Sequence, residues 1–172
     1  MRRRTIIAIA VPIVLIVAAV IVLADLNGGS LDFSGRDVRL IITDSMDGER
    51  TDHEISTIPK NSLVMVRSLS GYEKYSLKEG DVIQFWYFGI LDHHRVVEND
   101  TEKMSITTKG DNSPVTELVP YEDITGIVVG VNHPLGEIVN IVKVYWVTVI
   151  AFVMAAFVAI NAIVLYRKGE LE

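Results

Sequence analysis

Three short polar stretches hold the residue types that nucleophilic catalysis needs. Thr43-Asp44-Ser45-Met46-Asp47-Gly48 offers a hydroxyl just after the run Arg39-Leu40-Ile41-Ile42. Asp92-His93-His94-Arg95-Val96-Val97 offers imidazole, and Thr108-Lys109-Gly110-Asp111-Asn112, with Glu117 shortly after it, offers carboxylates. A serine is a weak nucleophile until a base takes its proton, and a histidine serves best as base when an acid holds its tautomer. Serine, histidine and acid in this order predict acyl-transfer chemistry at Ser45. Taken singly, each residue has a plain structural reading: serines near strand ends form turns, Lys109-Gly110-Asp111-Asn112 can end a strand, and Glu117 can be an exposed acid. His53 sits in the acidic, polar stretch Asp47 to Thr57 and reads as solvated.

The pair His93-His94 is a poor metal site. Neighbours on a strand point to opposite faces, and no third ligand stands at a useful spacing. The same alternation lets only one of the two share a face with Val96. The chain has no cysteine, so disulfides and thiolate metal sites are excluded. Serine–histidine chemistry requires no cofactor.

The elements that must position these residues read as short strands. Arg39 to Thr43, Ser62 to Arg67, Val82 to Phe88, Asp92 to Glu98, Lys103 to Lys109 and Ile124 to Val131 are β-prone runs. Turn signals such as Ile58-Pro59-Lys60-Asn61 and Glu79-Gly80-Asp81 separate them. No helix pattern interrupts them, so the expected fold is a small all-β domain.

Apolar segments flank this domain. Ile6 to Leu23 is 18 residues without a charge, and Val144 to Tyr166 is 23. About 20 such residues in a helix span a bilayer core, so both read as transmembrane helices. Arg2-Arg3-Arg4 before the first and Arg167-Lys168 after the second place both termini in the cytoplasm by the positive-inside rule. The expected division is 1–24, the basic cluster and first span; 25–142, the external β domain; and 143–172, the second span and tail. A cleavable signal is the rival reading of the first segment, but the apolar stretch is long and no small residue stands three before a cut after Ala24. Asn27 to Gly35 reads as a flexible tether. Asn161 inside the second span suggests a helix–helix contact. Alternate residues of Phe85-Trp86-Tyr87-Phe88 suit core packing, and its aromatic rings also suit a bilayer surface. Asn99-Asp100-Thr101 fits the glycosylation sequon. A net charge of −6 with no basic stripe argues against a nucleic-acid partner.

The anchor, the external β domain, Asp44-Ser45-Met46, His94-Arg95-Val96-Val97 and Thr108-Lys109-Gly110-Asp111-Asn112 together resemble membrane-bound type I signal peptidases. The similarity is to the archaeal and endoplasmic-reticulum branch, which has histidine where the bacterial branch has lysine, and it covers about Ile41 to Val131. The resemblance implies that Ser45 is the nucleophile and that His94, not His93, is the general base. It also implies that Thr43 and the Ser45 N–H serve the oxyanion. The implied substrates are secretory pre-proteins cut at the outer face of the membrane, where association with the export channel is open to the domain.

Two departures stand out. Asp47-Gly48 and an acidic loop replace the family's Glu-Pro after Ser-Met, and Glu117 occupies a position that normally carries aspartate. Two acids therefore compete to orient His94. Asp111 is short and follows Gly110 at a strand end, which favours it on physical grounds. Glu117, in a looser stretch, must immobilise a longer side chain. The expectation is Asp111 as the indispensable acid, acting through loop hydrogen bonds, with Glu117 nearer the imidazole. The alternative from another class is a non-enzymatic membrane-anchored β domain that scaffolds an envelope assembly or binds a ligand.

Overall fold

The computed structural model describes residues 30–33 and 36–167. The first apolar segment, the Arg2-Arg3-Arg4 cluster and Lys168 lie outside the described residues. The chain is mainly β. Among the described residues, eight antiparallel strands form one sheet: β1 (Ser30–Phe33), β2 (Arg36–Leu40), β3 (Leu63–Ser68), β4 (Val82–Tyr87), β5 (Ile90–Asp100), β6 (Ser105–Lys109), β7 (Thr116–Pro120) and β8 (Ile124–Asn132). Their order across the sheet is β1-β2-β3-β8-β4-β5-β6-β7. The last strand thus inserts between β3 and β4 and joins the two halves.

β4 is buried on both faces, and its alternating side chains feed two cores. Ile83 and Phe85 pack with Val96, Ile106, Val119, Tyr121 and Ile124. Val82 faces the other way, into a cluster with Ile41, Met46, Ile58, Val64, Val66 and Val128. At about 25 cal/mol per Å² of apolar surface, these clusters supply the main drive for folding a domain without disulfides.

Six strands follow the expected runs, with ends shifted by a few residues. Two were not expected. β7 runs through the stretch read as loose, because Pro114, Thr116 and Glu117 hide a strand whose hydrogen bonds come from β6. Its register pairs Thr108 with Glu117 and Lys109 with Thr116. β1 lies in the stretch read as a tether and pairs with β2 from Ser30↔Arg39 to Phe33↔Arg36. The segment from Asp47 to Thr57 forms neither helix nor strand.

Asn27–Ile138 is one compact unit, and the chain from Val139 belongs to another. The β unit therefore closes before the expected boundary at 142. The helix α1 (His133–Arg167) begins ahead of the apolar run. Asn132 starts it: its side-chain oxygen accepts from the Leu135 N–H at 2.9 Å, and Pro134 fits the first turn. The first turn is seated on β3, since Asn61 donates to Glu137 at 3.0 Å and a Cβ on Gly136 would overlap the Asn61 carbonyl. Leu40, Leu63 and Asn132 are in register, so β2 ends, β3 begins and β8 ends at the same end of the sheet.

Further along α1, Val144, Val147, Phe152, Val158 and Ile163 are all exposed. Among the described residues no single helix is long and apolar enough to cross a membrane, but the bent pair His133–Tyr145 and Ile150–Val164 together passes that test. The Asn161 amide donates to the Phe157 carbonyl at 2.7 Å, one turn back, and the first apolar segment that could face it lies outside the described residues. In the aromatic run, Phe85 is core while Trp86 is half-exposed and Phe88 almost fully so. The hairpin tip bearing Phe88 follows the β4 end that pairs with the start of β8, away from Asn132.

Candidate active site

β5 changes partners in the middle. Ile90 to Arg95 pair with β4, whereas Arg95 to Asp100 pair with β6, with a bulge between Val96 and Glu98. Beside Asp92 to His94, on the edge away from β4, β6 has already ended. The turn after Lys109 occupies that place.

Alternation along β5 separates the two histidines. His94 shares its face with Val96, and its ring lies 5.8 Å from that of Phe85. The register continues across the sheet, Val96↔Thr108↔Glu117, so Thr108 and Glu117 stand on the same face. Glu117 Oε2 lies 2.5 Å from His94 Nδ1 and accepts from the Thr108 hydroxyl at 3.2 Å. A carboxylate accepts only, so Nδ1 carries the proton and Nε2 presents its lone pair. His94 Nε2 is buried and has no hydrogen-bond partner.

Gly110 lies between Nε2 and the backbone of Ser45. A Cβ placed on Gly110 would lie 2.8 Å from the Ser45 carbonyl and 3.0 Å from His94 Nε2. Glycine is required there because serine turn and imidazole close in on one point. The turn is pinned from both sides. Asn112 N–H donates to the Ser45 carbonyl at 2.8 Å, and its side-chain amide to the Asp44 carbonyl at 3.3 Å. Met46, almost fully buried, anchors the next residue in the core, and its carbonyl accepts from Ile58 N–H at 3.0 Å. Ser45 itself remains half-buried, with Thr43 Oγ1 3.4 Å from its Oγ. A rigid backbone beneath a reachable hydroxyl is what a nucleophile needs.

Asp111 does not meet the imidazole. Its two oxygens take the Arg95 guanidinium side-on, at 2.8 Å from Nε and 2.6 Å from the terminal nitrogen. Asp111 thus sits among loop hydrogen bonds and Glu117 at the imidazole. Side-chain length, which favoured the shorter acid for His94, is overridden by parity: Arg95 alternates with His94, and Asp111 serves the Arg95 face. Arg95 also donates to the Ile55, Ser56 and Gly80 carbonyls. It ties the acidic loop and the Gly80 turn to the loop behind the site. Gly48 completes the fit, since a Cβ there would strike Asp111. A cleft of about 360 Å³ lies along this face, lined by Glu49, Thr51, Arg95, Val97, Lys109, Gly110 and Asp111.

His93 belongs to the Arg95 face. Its Nε2 accepts from the Gln84 amide at 3.1 Å, and Gln84 in turn accepts from Thr125. Burial, which disfavours the charged ring, holds its pKa down at about 4. A neutral, hydrogen-bonded histidine of this kind supports the fold.

Arg95 and Thr108 were missed as supports of the site. Parity along β5 was the available signal for Arg95, and Thr108 had none until Glu117 was placed. Asn99 is not free for glycosylation in this fold: its amide donates to the Lys74 and Leu77 carbonyls, and its oxygen accepts from Tyr121. Among the described residues no group of His, Asp and Glu is arranged to hold a metal ion. No protein-family model matches the sequence, and no curated protein is significantly similar to it.

Proposed function

We propose that this chain is a membrane-bound serine endopeptidase of the signal-peptidase type. One observation carries the reading: Glu117 is bonded to His94 Nδ1, and the unpartnered Nε2 meets the Ser45 turn across Gly110. In the reaction, His94 Nε2 takes the Ser45 proton as Oγ adds to the scissile carbonyl. The oxyanion draws on the Ser45 N–H and the Thr43 hydroxyl, a type of donor worth about 3 kcal/mol. The imidazolium then protonates the departing amine, the acyl-enzyme forms, and water enters by the same route in reverse. No cofactor is required.

Location supports the substrate class. The strand that leads into Ser45 ends in register with the strand that leads into α1. On a membrane-anchored domain at the outer face, the serine meets peptide bonds just emerging from a bilayer, where signal peptides end and extended segments are accessible. In this reading both termini are cytoplasmic and the β domain is outside. Tags on either terminus are then protected in sealed right-side-out vesicles, while added protease cuts within 27–138.

The test uses the full chain in lipid vesicles with a secretory pre-protein and a fluorophosphonate probe. Cleavage and labelling of Ser45, both lost in Ser45→Ala and His94→Ala, support the proposal. A wild-type protein that neither cleaves nor labels leaves the non-enzymatic envelope module as the reading.

A further inference from the structure

We infer that Asp92 is a positioning residue for His94, a second carboxylate that acts on the imidazole only after it has taken the serine proton. The role rests on the serine-peptidase reading above. Asp92 lies two residues before His94 on β5 and so shares its face. Asp92 Oδ2 is 3.8 Å from His94 Nε2, too far for a hydrogen bond but within ion-pair range. Its other oxygen accepts the His93 backbone N–H at 2.8 Å, which holds the carboxylate in place. The side chain is 34% exposed, whereas Nε2 is buried, so the carboxylate stays hydrated while its field reaches the ring. His94 thus stands between two acids. Glu117 is bonded to Nδ1, and Asp92 waits beside Nε2.

The two acids act at different stages. Glu117 holds the ring in every state, since the Nδ1 proton is always present. Before attack, Nε2 offers a lone pair, and Asp92 has nothing to gain from it. As the proton moves from Ser45 Oγ to Nε2, the ring becomes a cation whose Nε2 lies 3.8 Å from the Asp92 carboxylate. Attraction appears as the charge develops. An interaction stronger in the transition state than in the ground state raises kcat and leaves KM alone. The proton ends on the leaving amine, so Asp92 neither gains nor loses one over the cycle.

Asp92→Asn keeps the oxygen that accepts from His93, so the strand is preserved while the charge is removed. In full-length protein in vesicles, kcat for pre-protein cleavage should fall about tenfold with KM within about twofold, and fluorophosphonate labelling of Ser45 should slow in parallel. Asp92→Glu should recover most of the rate, and melting temperatures should stay together. Unchanged kcat, a loss carried by KM, or a loss that tracks a lowered melting temperature and is not recovered by glutamate overturns the inference. If Ser45 labels in a His94-dependent way while Asp92→Asn labels at the wild-type rate, only the Asp92 role falls. If the wild type neither labels nor cleaves, the peptidase reading and the Asp92 role fall together.

Discussion

The two faces of β5 carry neighbouring histidines that the fold treats in opposite ways. Both rings are almost fully buried, His93 at 7% and His94 at 4% exposure, so burial does not distinguish them. Their partners do. His93 accepts from a neutral amide and is held uncharged, with its pKa down at about 4. His94 gives one nitrogen to a carboxylate and leaves the other without a hydrogen bond at the edge of a serine turn. A buried histidine is structural when both its ring and its neighbours are at rest. It is poised for chemistry when one nitrogen is fixed and the other is spare.

The comparison breaks most sharply at the proposed nucleophile and base. Ser45→Ala and His94→Ala should each lower cleavage by about 10³-fold or more, in line with the loss of either partner of a serine–histidine pair. Equal losses in His93→Gln would erase the distinction between the faces. That variant should keep activity within about tenfold of wild type, since it touches only the Gln84 side.

Asp111→Ala tests the structural face. The Arg95–Asp111 pair is buried on both sides, and removing one partner strands the other charge. A loss of about 3–5 kcal/mol in unfolding free energy is expected, read from denaturant melts, with activity falling only as the protein unfolds. Stability intact with activity gone would move Asp111 into the chemistry instead. Glu117→Gln is the mirror experiment. It should cut kcat roughly 10²-fold, with the melting temperature changed by a few degrees at most, because the imidazole loses its charged partner but not its packing.

A separate effect is a pH dependence of stability that belongs to His93. Its folded pKa of about 4 lies below the ordinary 6.5, so as pH falls the unfolded chain takes up this proton first. The contribution to stability is undiminished above pH 6.5 and is lost progressively down to about pH 4, roughly 3 kcal/mol in all. Denaturant melts across that window should show the decline, and His93→Gln should flatten it. A His93→Gln protein with the same slope would assign the effect to other groups.

The sequence by itself determined what alternation and local composition can determine. Strand periodicity placed His93 and His94 on opposite faces, the β-prone runs located six strands, and the serine turn was recognisable from Ser45 and its neighbours. Side-chain length and backbone rigidity pointed to Asp111 as the partner of His94, and the sequence carried no physical ground that placed Glu117 there instead. A strand's two faces are a property of that strand alone, whereas which acid meets which base depends on the register between strands. That register, Val96↔Thr108↔Glu117, is set by β7, whose polar residues and nearby proline disguise it as a loop. Arg95 was hidden for a related reason, because three of the groups it binds are backbone carbonyls at residues 55, 56 and 80, and every residue has one. Closure of Ser45 on Gly110 and Asn112 spans more than sixty residues of chain. Only the tertiary structure decides such contacts, because they arise when separate strands settle into one sheet and fix which side chains share the space between them.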